Sequence, residues 1–89
     1  MKAIVTVIGK DQMGIIASVT SALHEQKINV LDISQTILQD YFVMIMLTDI
    51  SACPLSISDL SALLQESGQA RGVDIRIQRE DIFNAMHRI

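Results

Sequence analysis

Asn-Val-Leu-Asp-Ile-Ser-Gln-Thr-Ile-Leu at residues 29–38 is followed, after only Gln39-Asp40, by Tyr-Phe-Val-Met-Ile-Met-Leu-Thr at residues 41–48. Both runs are dense in β-branched, aromatic and other apolar residues. Two strand-like runs with a two-residue gap make an antiparallel hairpin. The gap holds no glycine, so the turn type stays open. In the second run Phe42, Met44 and Met46 share one face, and Val43, Ile45 and Leu47 share the other. A strand with two apolar faces is buried on both sides, touched by the C-terminal tail, or part of a subunit interface.

Working upstream, Ala3–Ile8 is a β-branched run that stops at Gly9 and reads as a buried strand. Ile15 or Ile16, Val19, Ala22 and Leu23 then recur at spacings of three and four, as on one face of a helix. Asp11 is the expected N-cap, because its carboxylate can accept free backbone N–H groups. The helix should end near Gln26 or Lys27. Downstream, Cys53-Pro54 breaks the chain. Ser56 is the expected cap of a second helix, with Asp59 three residues on. Ile57, Leu60, Leu63 and Leu64 supply its apolar face, Gly68 lies inside it, and Gly72 suits the C′ position. Val73–Arg79 alternates as a half-buried strand, with Val73, Ile75 and Ile77 on one side. Asp81–His87 is expected to form a short helix with Ile82, Phe83 and Met86 facing inward.

The order βαββαβ predicts an α+β fold. It is the ferredoxin-like split βαβ sandwich, a four-stranded antiparallel sheet with two helices on one face. Residues 1–89 make one domain, with a short helical tail at about 81–88. The second sheet face has no helix to cover it, which predicts polar residues there. The last strand obeys this and the third does not.

Composition narrows the class. Apolar residues are 49% and charged residues 19%, the latter below the usual value of about 25%. A domain of this size buries only about 60–65% of its unfolded surface. Low charge therefore points to further burial in a homo-oligomer, a dimer or higher. The net charge is −3 and the seven basic residues are scattered. That disfavours direct nucleic-acid binding. The single cysteine, Cys53, excludes an internal disulfide and a cysteine-rich metal cluster. No signal peptide is legible. The apolar run Tyr41–Leu47 is far short of a membrane span. A cytoplasmic location with no membrane contact is expected.

Catalytic motifs are missing. Gly9–Gly14 has phosphate-loop glycine spacing, but Ile15-Ile16 follow in place of Lys-Ser or Lys-Thr. None of the eight serines sits in a Gly-x-Ser-x-Gly elbow. His24 and His87 lack a second ligand at metal spacing, so no metal is expected. Cys53 has no neighbouring cation in sequence to activate it. Tyr41 and Phe42 point to opposite faces, against an RNA-stacking sheet. An acylphosphatase-type site would need an arginine where Lys10 and Asp11 stand. The stretch that keeps interest is Gly9, Asp11 and Gly14, where a helix N-terminus could receive a carboxylate. A plain strand-to-helix turn explains the same residues.

Gly9-Lys10-Asp11-Gln12-Met13-Gly14-Ile15-Ile16-Ala17, then Lys27-Ile28-Asn29-Val30, on a βαββαβ frame, resembles an ACT domain over the whole chain. Asp32–Thr36, Tyr41-Phe42 and Ile82–Met86 resemble more narrowly the small stand-alone ACT proteins of the UPF0237 group. These are similar to the ACT units of the glycine cleavage system's transcriptional regulator. The resemblance implies a regulatory ligand-binding protein with no catalysis and no cofactor, its ligand an amino acid or related metabolite. It implies ligand contacts from Asp11, Gln12, Met13, Gly14 and Ile15 in the first loop, and from Asn29 and Val30 at the second strand. The site in such proteins often lies between two domains, so Asn29 would serve a partner's loop. Met13 stands where relatives often have proline, and Lys27 where many have glycine. The alternative is a protein–protein interaction module without a small ligand, acting on a larger regulator or enzyme.

Overall fold

The structure, a computed structural model, describes residues 1–10 and 14–81. The elements are β1 (Lys2–Gly9), α1 (Ile15–Glu25), β2 (Asn29–Leu38), β3 (Tyr41–Asp49), α2 (Ile57–Gln69) and β4 (Asp74–Arg79). The strands form one antiparallel sheet in the order β2-β3-β1-β4. This is the expected ferredoxin-like α+β arrangement. The tail helix expected over 81–88 falls almost wholly outside the described residues.

Alternation decides the core. Ala3, Val5 and Val7 of β1, Phe42, Met44 and Met46 of β3, and Ile75 and Ile77 of β4 all face the helices and are buried. Ile15, Val19 and Leu23 of α1, with Leu60 and Leu64 of α2, close over them. The one buried polar side chain among the described residues, Thr48, donates its hydroxyl to the Ala3 carbonyl at 2.9 Å. A polar group in that position would otherwise cost its desolvation. β1 corrects the sequence reading. Its β-branched run suggested burial on both faces, yet Ile4, Thr6 and Ile8 line the open side and keep contact with solvent. Leu63 is a second correction: it points outward from α2, and Gly68 takes the buried place one turn beyond Leu64.

Helix ends follow local chemistry. α1 starts at Ile15 with Gly14 as its N-cap, not Asp11. Gly14 holds φ 80° and ψ −13°, which a helix cannot continue through, so the helix begins after it. At the other end Lys27 adopts φ 60°. Its N–H donates to the His24 carbonyl at 2.9 Å, and the Ile28 N–H to the Leu23 carbonyl at 3.0 Å. That is a Schellman closure with lysine where glycine is favoured. α2 is capped as expected, with Ser56 Oγ accepting from the Asp59 N–H at 3.1 Å.

The hairpin is tight, with Leu38 opposite Tyr41 and a left-handed φ of 55° at Gln39. Further along β2 a bulge falls between Val30 and Asp32, leaving Leu31 without its own partner in β3. Two residues of β2 there oppose one of β3. Asn29 and Asp32 consequently both face the open side of the sheet, opposite Asp49 and Leu47.

Candidate ligand-binding site

The candidate residues fall at two places. Gly14 and Ile15 lie beyond the Gly9 end of β1. Asn29 and Val30 lie at the other end, where Asn29 pairs with Asp49 and Asp49 pairs with Lys2. The sheet between them runs from Lys2 to Gly9, about 24 Å at the usual rise per residue. One chain therefore does not bring the two groups together. Asp11, Gln12 and Met13 lie outside the described residues.

At the Gly14 end, a Cβ on Gly14 would meet nothing within 4 Å. The Gly14 carbonyl is spoken for, accepting from the Ser18 N–H at 3.0 Å and the Ser18 hydroxyl at 2.8 Å. The helix start itself has no side-chain cap and no acid in its first turn. Its first N–H groups have no intrahelical partner and carry the positive end of the helix dipole. The Ile15 side chain belongs to the core, so only its backbone can serve a ligand. Beside this end, Lys10 lies on the Tyr41 ring, its Nζ 5.7 Å from the centroid. Both line a shallow concavity with Ile8 and Asp74.

At the Asn29 end, Asn29 is exposed and Val30 is half-buried against the helix side. Asp49, the residue opposite Asn29, was not singled out from the sequence. Its Oδ1 accepts the Ser51 hydroxyl at 2.6 Å and the Ser51 N–H at 2.9 Å. The chain's own ammonium donates to Ser51 Oγ at 2.6 Å and stands 3.7 Å from Asp49. The Ser51 hydroxyl bond, with the backbone bond and the nearby ammonium, lowers the Asp49 carboxyl below its ordinary 3.8. A fixed negative charge thus flanks Asn29. Counting back from the turn without the bulge puts residue 50 opposite Asn29, which is why spacing did not find this pair.

One strand stands apart. Every residue of β2 except Val30 is exposed. Ile33 and Ile37, at 43% and 60% exposure, face the helix side, where neither helix covers them. β2 is also a sheet edge, with no lysine and no proline to block pairing. Among the described residues no group of three His, Cys, Asp or Glu is placed to hold a metal. No described helix is long and apolar enough to cross a membrane.

A family model described as an ACT domain matches residues 2–78. A UPF0237 protein of Clostridium acetobutylicum is 60% identical over 89 residues, covering all of both chains. A solved ACT domain protein from Streptococcus pneumoniae is 41% identical with a TM-score of 0.85, covering 98% of each chain. A formyltetrahydrofolate deformylase from Pseudomonas putida shares the fold at a TM-score of 0.78. It is 18% identical, and the match covers 91% of this chain and 29% of that one.

Proposed function

The chain belongs to the ACT domain family, a regulatory and not a catalytic one, and on that premise we propose that it senses an amino acid or related metabolite as a cytoplasmic homodimer. The observation carrying this reading is the separation of Gly14 from Asn29 in a chain whose β2 edge is bare. Pairing β2 antiparallel with β2 of a second copy, about a two-fold axis, reverses the ends of the two sheets. The Asn29 end of one copy then lies beside the Gly14 end of the other. Ile33 and Ile37 lose water in the same step, which supports the pairing energetically.

The chemistry of such a site suits a zwitterion. A ligand carboxylate takes the free N–H groups at the start of α1. Its ammonium meets Asp49, while Asn29 donates to one end and accepts from the other. Ligand would then tighten the pair, because each copy supplies half of the contacts. That couples metabolite concentration to assembly.

Titration of the full chain with single amino acids, read by thermal unfolding, tests this. A ligand at 100 times its dissociation constant should stabilise by about 2.7 kcal/mol. Asn29→Ala should abolish the shift while leaving the unliganded melting point in place. A folded dimer that answers to no amino acid, yet captures one protein at fixed stoichiometry, would replace this reading with the interaction module.

A further inference from the structure

At the Gly9 end of the sheet, the corner between β1, β3 and β4 holds a concavity of about 560 Å3. That is room for a small metabolite. Alternation builds it. Ile8, Tyr41 and Asp74 face the open side, because Val7, Phe42 and Ile75 face the core. Ile8, 40% exposed, is the floor. Tyr41 of β3 stands on one side and Asp74 of β4 on the other, two strand spacings or about 10 Å apart. Gly72 leaves bare backbone on the rim, where a Cβ would meet nothing within 4 Å.

The charges around it are unequal. Asp74 is held by the Arg76 guanidinium at 3.0 Å, so that wall is electrically balanced. Lys10 has no such partner. Its Nζ stands 5.7 Å from the Tyr41 ring centroid. No described carboxylate lies within ion-pair distance of it, that of Asp40 in the adjoining turn included. A cation over an exposed ring gains less than one that donates to an anion. We propose that this corner binds a small monocarboxylic acid with a flat apolar body. The carboxylate takes the Lys10 ammonium. The body lies on Ile8, against the Tyr41 ring. Its far end meets the balanced Asp74–Arg76 pair and needs no charge. An ammonium on the ligand would have to displace Arg76 from Asp74. The site goes beyond the reading above. It lies within one chain, uses neither Gly14 nor Asn29, and calls for an acid and not a zwitterion.

Titration of the full chain with hydrocinnamate, followed by amide NMR spectra, tests it. The Gly72 N–H should shift and saturate while the Asn29 N–H stays in place. Lys10→Met should weaken binding at least tenfold. Lys10→Arg should keep it, which separates loss of the charge from loss of the fold. Propionate lacks the ring, the amide of hydrocinnamate lacks the charge, and phenylalanine adds the ammonium. Each should bind at this corner at least tenfold more weakly. Asn29→Ala should leave hydrocinnamate binding unchanged whether or not it abolishes the amino-acid response, so the two readings fail separately. Shifts at Asn29 and Ser51 in place of Gly72 put the acid in the two-copy site and overturn the proposal. Equal binding of the acid and its amide, or wild-type affinity in Lys10→Met, overturns it too. So does phenylalanine bound at Gly72 as tightly as hydrocinnamate, or the lack of any saturable shift.

Discussion

The carbonyl oxygen of Val73 stands 2.7 Å from the point a Cβ on Gly68 would occupy. The same close approach lets the Val73 N–H donate to the Gly68 carbonyl at 2.9 Å. Helix α2 can pack this tightly on the start of β4 only where it has no side chain. Alanine is the better helix former by about 1 kcal/mol. Gly68→Ala should nonetheless destabilise, by about 1–3 kcal/mol, because backbone cannot give way as a flexible side chain can. Urea unfolding checks this, and a gain in stability would show that the strand start can move aside.

Lys27 gives the opposite sign. It holds φ 60° at the close of α1, a conformation costly for any residue with a Cβ. Lys27→Gly should stabilise by about 0.5–1 kcal/mol. Glycine's larger unfolded-state entropy offsets part of the relief. For a domain of this size the melting point should rise by a few degrees. An unchanged or lower melting point would mean that the lysine side chain makes a compensating contact.

Asp49 sets a pH dependence. Its carboxyl is lowered by the Ser51 hydrogen bonds, so the folded state releases this proton more readily than the unfolded state. The contribution to stability is complete above the unfolded value, near 3.8, and is lost as pH falls through the folded one. Ser51→Ala removes the main cause. The variant should lose less stability than the wild type on going from pH 5 to pH 3. Parallel pH profiles for the two would show that the Ser51 bonds do not couple to folding.

Ser56→Ala removes the acceptor for the Asp59 N–H at the start of α2. The loss should be about 1 kcal/mol, and Ser56→Asp should restore most of it. Thermal unfolding of the three proteins distinguishes a cap from a general effect of the loop.

The fold was legible because its determinants are periodic. Val73, Ile75 and Ile77 alternate, and the gap at Gln39-Asp40 is too short for anything but a hairpin. The misreadings share a different cause. Asp11 looked like a cap because caps usually advertise themselves by a polar side chain, and Gly14 starts α1 through a backbone angle alone. Leu63 looked buried because it fits a helical face, but Gly68 brings β4 close beside Leu60 and Leu64 and leaves that flank to solvent. Ile33 and Ile37 share a side of β2 with the buried row of β3, and only the sheet order shows that this side is an uncovered edge. Of the candidate site, Gly14 and Asn29 were legible as residue types at motif spacing. Asp49 was not, because its place opposite Asn29 depends on the unpaired Leu31.

That bulge also sets which changes in length β2 tolerates. Leu31 has no partner of its own, so removing it leaves every neighbour in β2 opposite the residue it already meets. Removing Ser34 instead turns over all the side chains on one side of the cut, carrying Asp32 or Thr36 to the helix side. Insertions and deletions in this strand should therefore be tolerated around residue 31 and excluded from 33 onward. In that sense the bulge is a joint, where the strand can lengthen or shorten without changing what it presents.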